Sequence, residues 1–486
     1  MTVAGESTPA RGLRLEVPIT FLPAPLEDLD ESATVVVEPV RRLRTTHWDT
    51  ADLRLARWGV ALEHAAEAGW VLRLPATSEG MTAPDGAELH FEGPADRPPD
   101  AVMHLVRAYA RHAQVVLVAR LVTLTADTVL LDAEGGRLAR LLDATVSVYS
   151  GARITQRFRE IDLQCASESL LEQIAARFEA SGAQPAGPRA LVARALGPAA
   201  TAGDVIRRAL TTSVIRLLRH DPGVRLGLDI EDVHQARVAT RRLRSDLRTF
   251  QPLLDKVWTD GLREELRWLG AELGSVRDAE VQRDRLRAAA MTLPAADRRS
   301  AAAVVAPLVA QVRSARRRLL TAIDTDRYLD VIDDLVAGAR APALLPAAAS
   351  PAGEVLPGLV RRPWKSLRSG AIACLGGVPD EQLHDLRIRA KRCRYAAEAA
   401  AAASGKKVAK AARDVAALQE ILGELHDAVV AEAWLRERSA ATRIHETALF
   451  ATGELVALQR DAAERARAGW PAVWRRVEAG WADAWH

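Results

Sequence analysis

His234, Arg237, Arg241 and Arg244 stand at i, i+3, i+7 and i+10 in VHQARVATRRLRSDLRTF, residues 233–250. At about 100° per residue they fall within one narrow arc of a helix. Arg242 lies to one side of that arc, while Val238, Leu243, Leu247 and Phe250 supply apolar contacts elsewhere. Neighbours three or four residues apart stand about 5–6 Å apart at Cβ. Two unit charges at that distance repel by about 3 kcal/mol at an effective dielectric near 20. Such a row is tolerable if water solvates it fully, or if carboxylates or a bound polyanion neutralise it. The chemistry it suits is multivalent anion binding without turnover, because arginine forks and lysine ammonium groups both make charge-assisted hydrogen bonds to phosphate oxygens.

The chain carries the row twice. In LHDLRIRAKRCRYAAE, residues 383–398, His384, Arg387, Lys391, Arg392 and Arg394 repeat the same relative positions. Each copy is followed at nearly the same distance by a second matching segment, ELGSVRDAEV at 272–281 and ILGELHDAVV at 421–430. Two segments in one order at matched spacing indicate an internal duplication. The second segments add Arg277 and His426 to the candidate anion ligands. Asp278 and Asp427 are expected to pair with arginines and orient them. Gly274 and Gly423, placed where glycine costs a helix about 1 kcal/mol relative to alanine, suggest close helix crossings.

The elements that must hold these residues follow from pattern. From 204 onward the chain reads as helices: 231–252, opened by Asp229, Glu231 and Asp232 and closed by Pro252, then 257–290 and 295–338. APALLPAAASPAGEVLPG, residues 341–358, separates the repeats, after which 359–375, 380–403, 406–438 and 441–469 follow the same plan. Two pseudo-symmetric four-helix bundles, 204–340 and 356–486, are the economical arrangement. Trp470, Trp474, Trp481 and Trp485 are read as docking the last helix. Upstream, short apolar runs punctuated by Gly, Pro or Asp (LRLEVPITF, ATVVVEPV, GWVLRLP, ELHFEG, VVLVARLVTL, TVLLDAEG, ARLLDATVSVYS and ITQRFREIDLQC) read as strands of an antiparallel barrel or tunnel with a few helices. The fold class is therefore α+β and multidomain, with domains at 13–195 and 204–486 and a linker around 181–203.

Composition agrees with a charged binding surface in the second domain. Residues 1–195 hold about 20 basic and 26 acidic side chains and the rest about 46 and 37, so a net charge of +3 hides a split of −6 and +9. Three cysteines without CxxC spacing suit a reducing cytosol. MTVAGESTPARGLR has no apolar signal core, and no stretch is long and apolar enough to span a bilayer.

With both HxxRxxx[RK]RxR segments and both LGxx[RH]D segments in view, residues 204–486 resemble the CHAD family, the conserved histidine α-helical domain. That resemblance implies a basic central cavity that binds inorganic polyphosphate, with His234, Arg237, Arg241, Arg242 and Arg244 in one repeat and His384, Arg387, Lys391, Arg392 and Arg394 in the other as ligands. It also implies a cytoplasmic protein recruited to polyphosphate granules. No cofactor is needed for such binding.

Residues 13–195 resemble a CYTH domain, an eight-stranded triphosphate tunnel, through THWDTADLRLARWGVAL, GWVLRLP and FREIDL. CYTH enzymes hydrolyse triphosphate with magnesium held by tunnel-facing carboxylates. Here the family's ExExK falls on Glu16-Val17-Pro18-Ile19-Thr20, and its LRxR on Leu62-Glu63-His64-Ala65. Arg73 can replace a phosphate-binding lysine, and Glu16, Glu160 and Asp162 remain as residual carboxylates. Gln164 and His90 depart from the pattern. The expectation is a tunnel that keeps its fold and loses its chemistry, with magnesium relevant only if hydrolysis survives.

Two other classes compete for the basic helices. Nucleic-acid binding needs accessible aromatics or side chains that reach base edges, and only Tyr395 interleaves the rows. A metal phosphohydrolase is suggested by His426-Asp427, but the repeat counterpart is Arg277-Asp278, and arginine is no metal ligand. SGKK at 404–407 lacks the upstream glycine of a phosphate loop.

Overall fold

The computed structural model describes residues 11–26, 33–76, 86–150, 152–186, 200–441 and 446–484. The chain divides into two compact units, Met1–Ala195 and Leu196–His486.

The first unit runs β1 (Arg11–Val17), β2 (Thr34–Val37), β3 (Arg41–Thr50), α1 (Arg54–Arg57), β4 (Ala61–Ala65), β5 (Gly69–Arg73), β6 (Glu88–Phe91), α2 (Asp100–Ala110), β7 (Val115–Leu131), β8 (Arg137–Ser150), β9 (Arg153–Cys165), α3 (Glu168–Ala180) and β10 (Gln184–Pro185). The strands form one antiparallel sheet in the order β10-β1-β9-β8-β7-β3-β4-β5-β6, with β2 also on β7. The sheet is not closed into a barrel by any pairing among the described residues. Its terminal strands, β6 with four residues and β10 with two, offer little backbone to close it.

Two runs expected as separate strands join in β7, because Thr125-Ala126-Asp127 contains neither Gly nor Pro to stop the chain. The first part of β7 pairs with β3 and its end with β2. Period-2 alternation puts Leu15, Val17, Leu141, Ile161 and Leu163 on one face, packed with Ile174 and Phe178 of α3.

The described residues of the second unit are mostly helical: α4 (Ala202–Leu226), α5 (Ile230–Thr249), α6 (Lys256–Thr292), α7 (Ala295–Val305), α8 (Pro307–Ile323), α9 (Asp326–Arg340), α10 (Ala352–Cys374), α11 (Asp380–Ser404), α12 (Lys406–Ala441) and α13 (Glu446–Ala484). The Asp229 side chain caps α5 by accepting from the Glu231 N–H, one of the orphan donors at a helix start. The first repeat departs from a simple four-helix plan. Its expected helix 295–338 is three pieces, broken at Pro307, which lacks an N–H to continue a ladder, and at Thr325, whose side chain caps α9. The second repeat keeps four helices, α10 to α13. Its first helix starts at Ala352 and absorbs Pro357 and Pro363, which composition assigned in part to a linker.

The repeats share core. Leu286 of α6, Val304 and Val305 of α7 and Leu308 of α8 pack with Leu435 of α12 and Leu455 of α13. Trp470, Trp474 and Trp481 are buried. Trp364 of α10 stacks on Trp481 at 4.3 Å between ring centroids, which docks α13. Trp485 lies outside the described residues. Among those residues no helix is long and apolar enough to cross a membrane.

Candidate cationic site on α5 and α11

The two rows meet. Lys391 of α11 is half-buried, and burial together with Arg387, Arg241 and Arg237 pushes its ammonium down to about 7, against the pull of Asp427. Arg387 is lowered by burial and by Arg241 and Arg237, with Asp427 and Asp278 opposing. Guanidinium groups from the first repeat therefore press on cations of the second. The Nε atoms of Arg241 and Arg387 are buried and have no hydrogen-bond partner among the described residues. Burying a donor unpaired costs about 1–3 kcal/mol, so this group of cations is held at some expense.

The second matching segments supply walls. Arg237 Nη2 pairs with Asp278 Oδ1 at 2.9 Å, as expected of an orienting carboxylate. A Cβ at Gly274 would lie 3.6 Å from Arg237 Nε, and one at Gly423 would lie 3.6 Å from Arg387 Nε. The duplicated glycines thus face the arginine stems of α5 and α11; what their missing side chains border is a guanidinium, where sequence reading expected a helix backbone. Arg277 sits beside His234 and reaches Glu280 Oε2 at 3.8 Å. Arg285, not singled out in the sequence, pairs with Glu424 at 2.8 Å and bears on Asp427.

The histidines divide by environment. His234 is lowered from its ordinary value by burial, then by Arg277, Arg241 and Arg237, with Glu231 opposing. His384 and His426 face each other with Nδ1 atoms 3.1 Å apart, so one nitrogen must donate and the other accept. Burial, Arg387 and His384 push His426 down to about 4. Beside this pair lies a pocket of about 350 Å³ lined by Asp380, Glu381, Asp385, Leu422, Leu425 and Val430 as well as the two histidines. That pocket is acidic and apolar, so it is not the basic cavity expected from resemblance; the cations gather on the face where α5 and α11 meet.

Four expected ligands separate from this group. Arg242 and Arg394 both close on Glu398, the latter at 2.7 Å, and Arg242 also approaches buried Asp246 at 3.6 Å. Their guanidinium groups, with that of Arg241, lie 5.4–5.7 Å from the Tyr395 ring centroid. Arg242 thus ties α5 to α11, while Arg394 pairs with Glu398 within α11. Arg244 and Arg392 are exposed, and Arg392 bears on Arg248. Sequence reading stopped the first row at i+10 and so missed Arg248, although i+14 falls in the same arc.

In the first unit, Glu16 stands opposite Glu160 in the β1/β9 register. Asp162 is held by Arg14 at 2.5 Å. Arg73 pairs with Glu63 and, at 2.8 Å, with Glu88. No group of three or more His, Cys, Asp or Glu able to hold a metal occurs among the described residues. Of the residual carboxylates Asp162 is thus engaged by an arginine, and the arginine that could take a phosphate is already neutralised.

The duplicated histidine and cation rows, with glycines behind their arginines, agree with a family match over residues 208–436. This segment is a CHAD domain. Across nearly its whole length the chain is 29% identical to an uncharacterized protein of Mycobacterium tuberculosis, found in strains CDC 1551 / Oshkosh and ATCC 25618 / H37Rv, with 97% of both chains covered. Similar solved structures include PptA from Streptomyces chartreusis, 26% identical, covering 57% of this chain and all of that one, with a TM-score of 0.47. The CHAD domain from the plant Ricinus communis is 27% identical, covering 57% of this chain and 94% of that one at a TM-score of 0.45. An adenylyl cyclase from Hippeastrum with triphosphatase activity covers 36% of this chain at 15% identity and a TM-score of 0.19.

Proposed function

We propose that the CHAD unit binds inorganic polyphosphate, without hydrolysing it, on the cationic face shared by α5 and α11, and that this carries the protein to polyphosphate granules. The observation behind this reading is the convergence of Arg237 and Arg241 on Arg387 and Lys391, with arginine donors left unpaired inside the group. A string of phosphates supplies one anionic charge per unit to a row of cations spaced a helical turn apart. Each charge-assisted hydrogen bond it forms is worth about 1.5–3 kcal/mol.

Nucleic acid offers the same charges, but the aromatic side chain in the rows gives it no platform. Tyr395 is 4% exposed and sits among three guanidinium groups. Polyphosphate should displace single-stranded DNA at low monomer concentration, and the reverse should fail. The deciding experiment titrates the full chain with polyphosphate of defined lengths against a His234→Ala, Arg241→Ala, His384→Ala, Lys391→Ala variant, with phosphate release followed in parallel. Loss of binding in the variant, and no release in either, is the expected result. Equal binding by both proteins would sink the proposal.

A further inference from the structure

The two repeats are offset by 150 residues in α5 and α11, so Arg242 corresponds to Arg392 and Arg248 to Glu398. The Arg242–Glu398 ion pair therefore has a counterpart across the duplication, and that counterpart is Arg392 with Arg248. On one flank a carboxylate meets a guanidinium; on the other, two guanidinium groups meet. Arg248 is further crowded by Arg263 of α6, Arg362 of α10 and Arg244. Arg244, Arg248, Arg362 and Arg392 are all exposed, and none has a side-chain ion pair or hydrogen bond among the described residues. Arg263 is paired with Asp260 at 3.2 Å, and Glu264, which opposes the crowding of Arg244, also pairs with Arg267. Arg248 lies seven residues beyond Arg241, about 10 Å along the helix at 1.5 Å per residue, and in the same arc.

We propose that Arg244, Arg248, Arg362 and Arg392 form a second anion site on one flank only of the α5/α11 pair, which takes the outgoing segment of a bound polyphosphate, whereas on the other flank Glu398 already occupies Arg242 and Arg394. The site rests on the polyphosphate reading and adds to it a direction and a length preference. A tripolyphosphate fills the Lys391 group; a long chain continues past Arg241 to Arg248 and gains further contacts. The device comes from divergence at one duplicated position, arginine at 248 against glutamate at 398.

The test measures affinities of the full chain for tripolyphosphate and for long-chain polyphosphate at several salt concentrations. The wild type should prefer the long chain. Arg248→Glu with Arg362→Glu should lower the long-to-short affinity ratio about tenfold and reduce the log–log salt slope for the long chain by roughly two, one per lost phosphate contact. Arg248→Gln, a milder change at an exposed position, should act in the same direction and confirms that folding is not the cause. Arg237→Ala with Lys391→Ala should instead weaken both ligands. An unchanged ratio in the Arg248 variants, beside loss of both ligands in the Arg237/Lys391 variant, would overturn the flank site and leave polyphosphate binding standing. A wild type indifferent to chain length overturns it too, and one that binds neither ligand overturns both readings.

Discussion

Lys391 is the residue on which the proposed binding reaction turns most steeply with pH. In the free protein its ammonium is held at about 7 by burial and by Arg387, Arg241 and Arg237. A phosphate chain beside it favours the charged form and raises that value. Below about pH 7 the lysine is charged before and after binding, and affinity is greatest. Above it, binding must take up a proton, so affinity falls as pH rises, by up to about tenfold per unit from this one group. Calorimetry in buffers of different ionisation enthalpy should show proton uptake above neutrality, and Lys391→Met should abolish most of it. The same substitution should raise the melting temperature of the ligand-free protein near neutrality. The native state binds this proton less readily than the unfolded chain, and holding the charge costs on the order of a few kcal/mol. A methionine that left both the proton uptake and the melting temperature unchanged would show that the lysine is already solvated.

Helices α5 and α11 are joined by a small ionic lattice, and its members behave unlike those of the binding face. Glu398 ties Arg242 to Arg394, with all three side chains largely withdrawn from water. Glu398→Ala leaves two guanidinium groups without their acceptor and should destabilise the protein by about 1–3 kcal/mol, read by urea denaturation, without reducing polyphosphate affinity. Asp246 is fully buried, and its burial raises it to about 7 despite Arg242. A carboxyl raised in the folded state contributes stability that is complete below its ordinary value near 4 and is lost as pH climbs through about 7. Asp246→Asn should therefore flatten the fall in melting temperature between those values.

The rows themselves were legible, because the i, i+3, i+7 spacing of His234, Arg237 and Arg241 is local and appears twice. The commitment of Arg242 was not, since the Glu398 that binds it is 156 residues away and lies four residues past the motif in the other copy. Pro307 and Thr325 broke a helix that apolar periodicity carried through. RRLRTTHWDT, which forms β3, is hard to read as a strand because its polar composition hides alternation that pairing with β7 and β4 makes useful.

Charge is distributed over the whole chain in a way that separates its two units. The CHAD unit holds the cationic excess, whereas the sheet unit is acidic, and one carboxylate left there from the triphosphatase pattern is engaged internally. Asp162 belongs to Arg14, and Arg73 to Glu63 and Glu88. Hydrolysis of a triphosphate needs carboxylates free to hold a divalent ion and cations free to hold the anion, and we propose that the engagement of Asp162 and Arg73 weakens both. The chain given tripolyphosphate and magnesium should release no more phosphate than a blank, and Glu160→Gln should change nothing. Binding by the CHAD unit should meanwhile weaken steeply as salt rises, because each neutralised phosphate gives back its condensed counterion. Phosphate release that Glu160→Gln removes would overturn this reading.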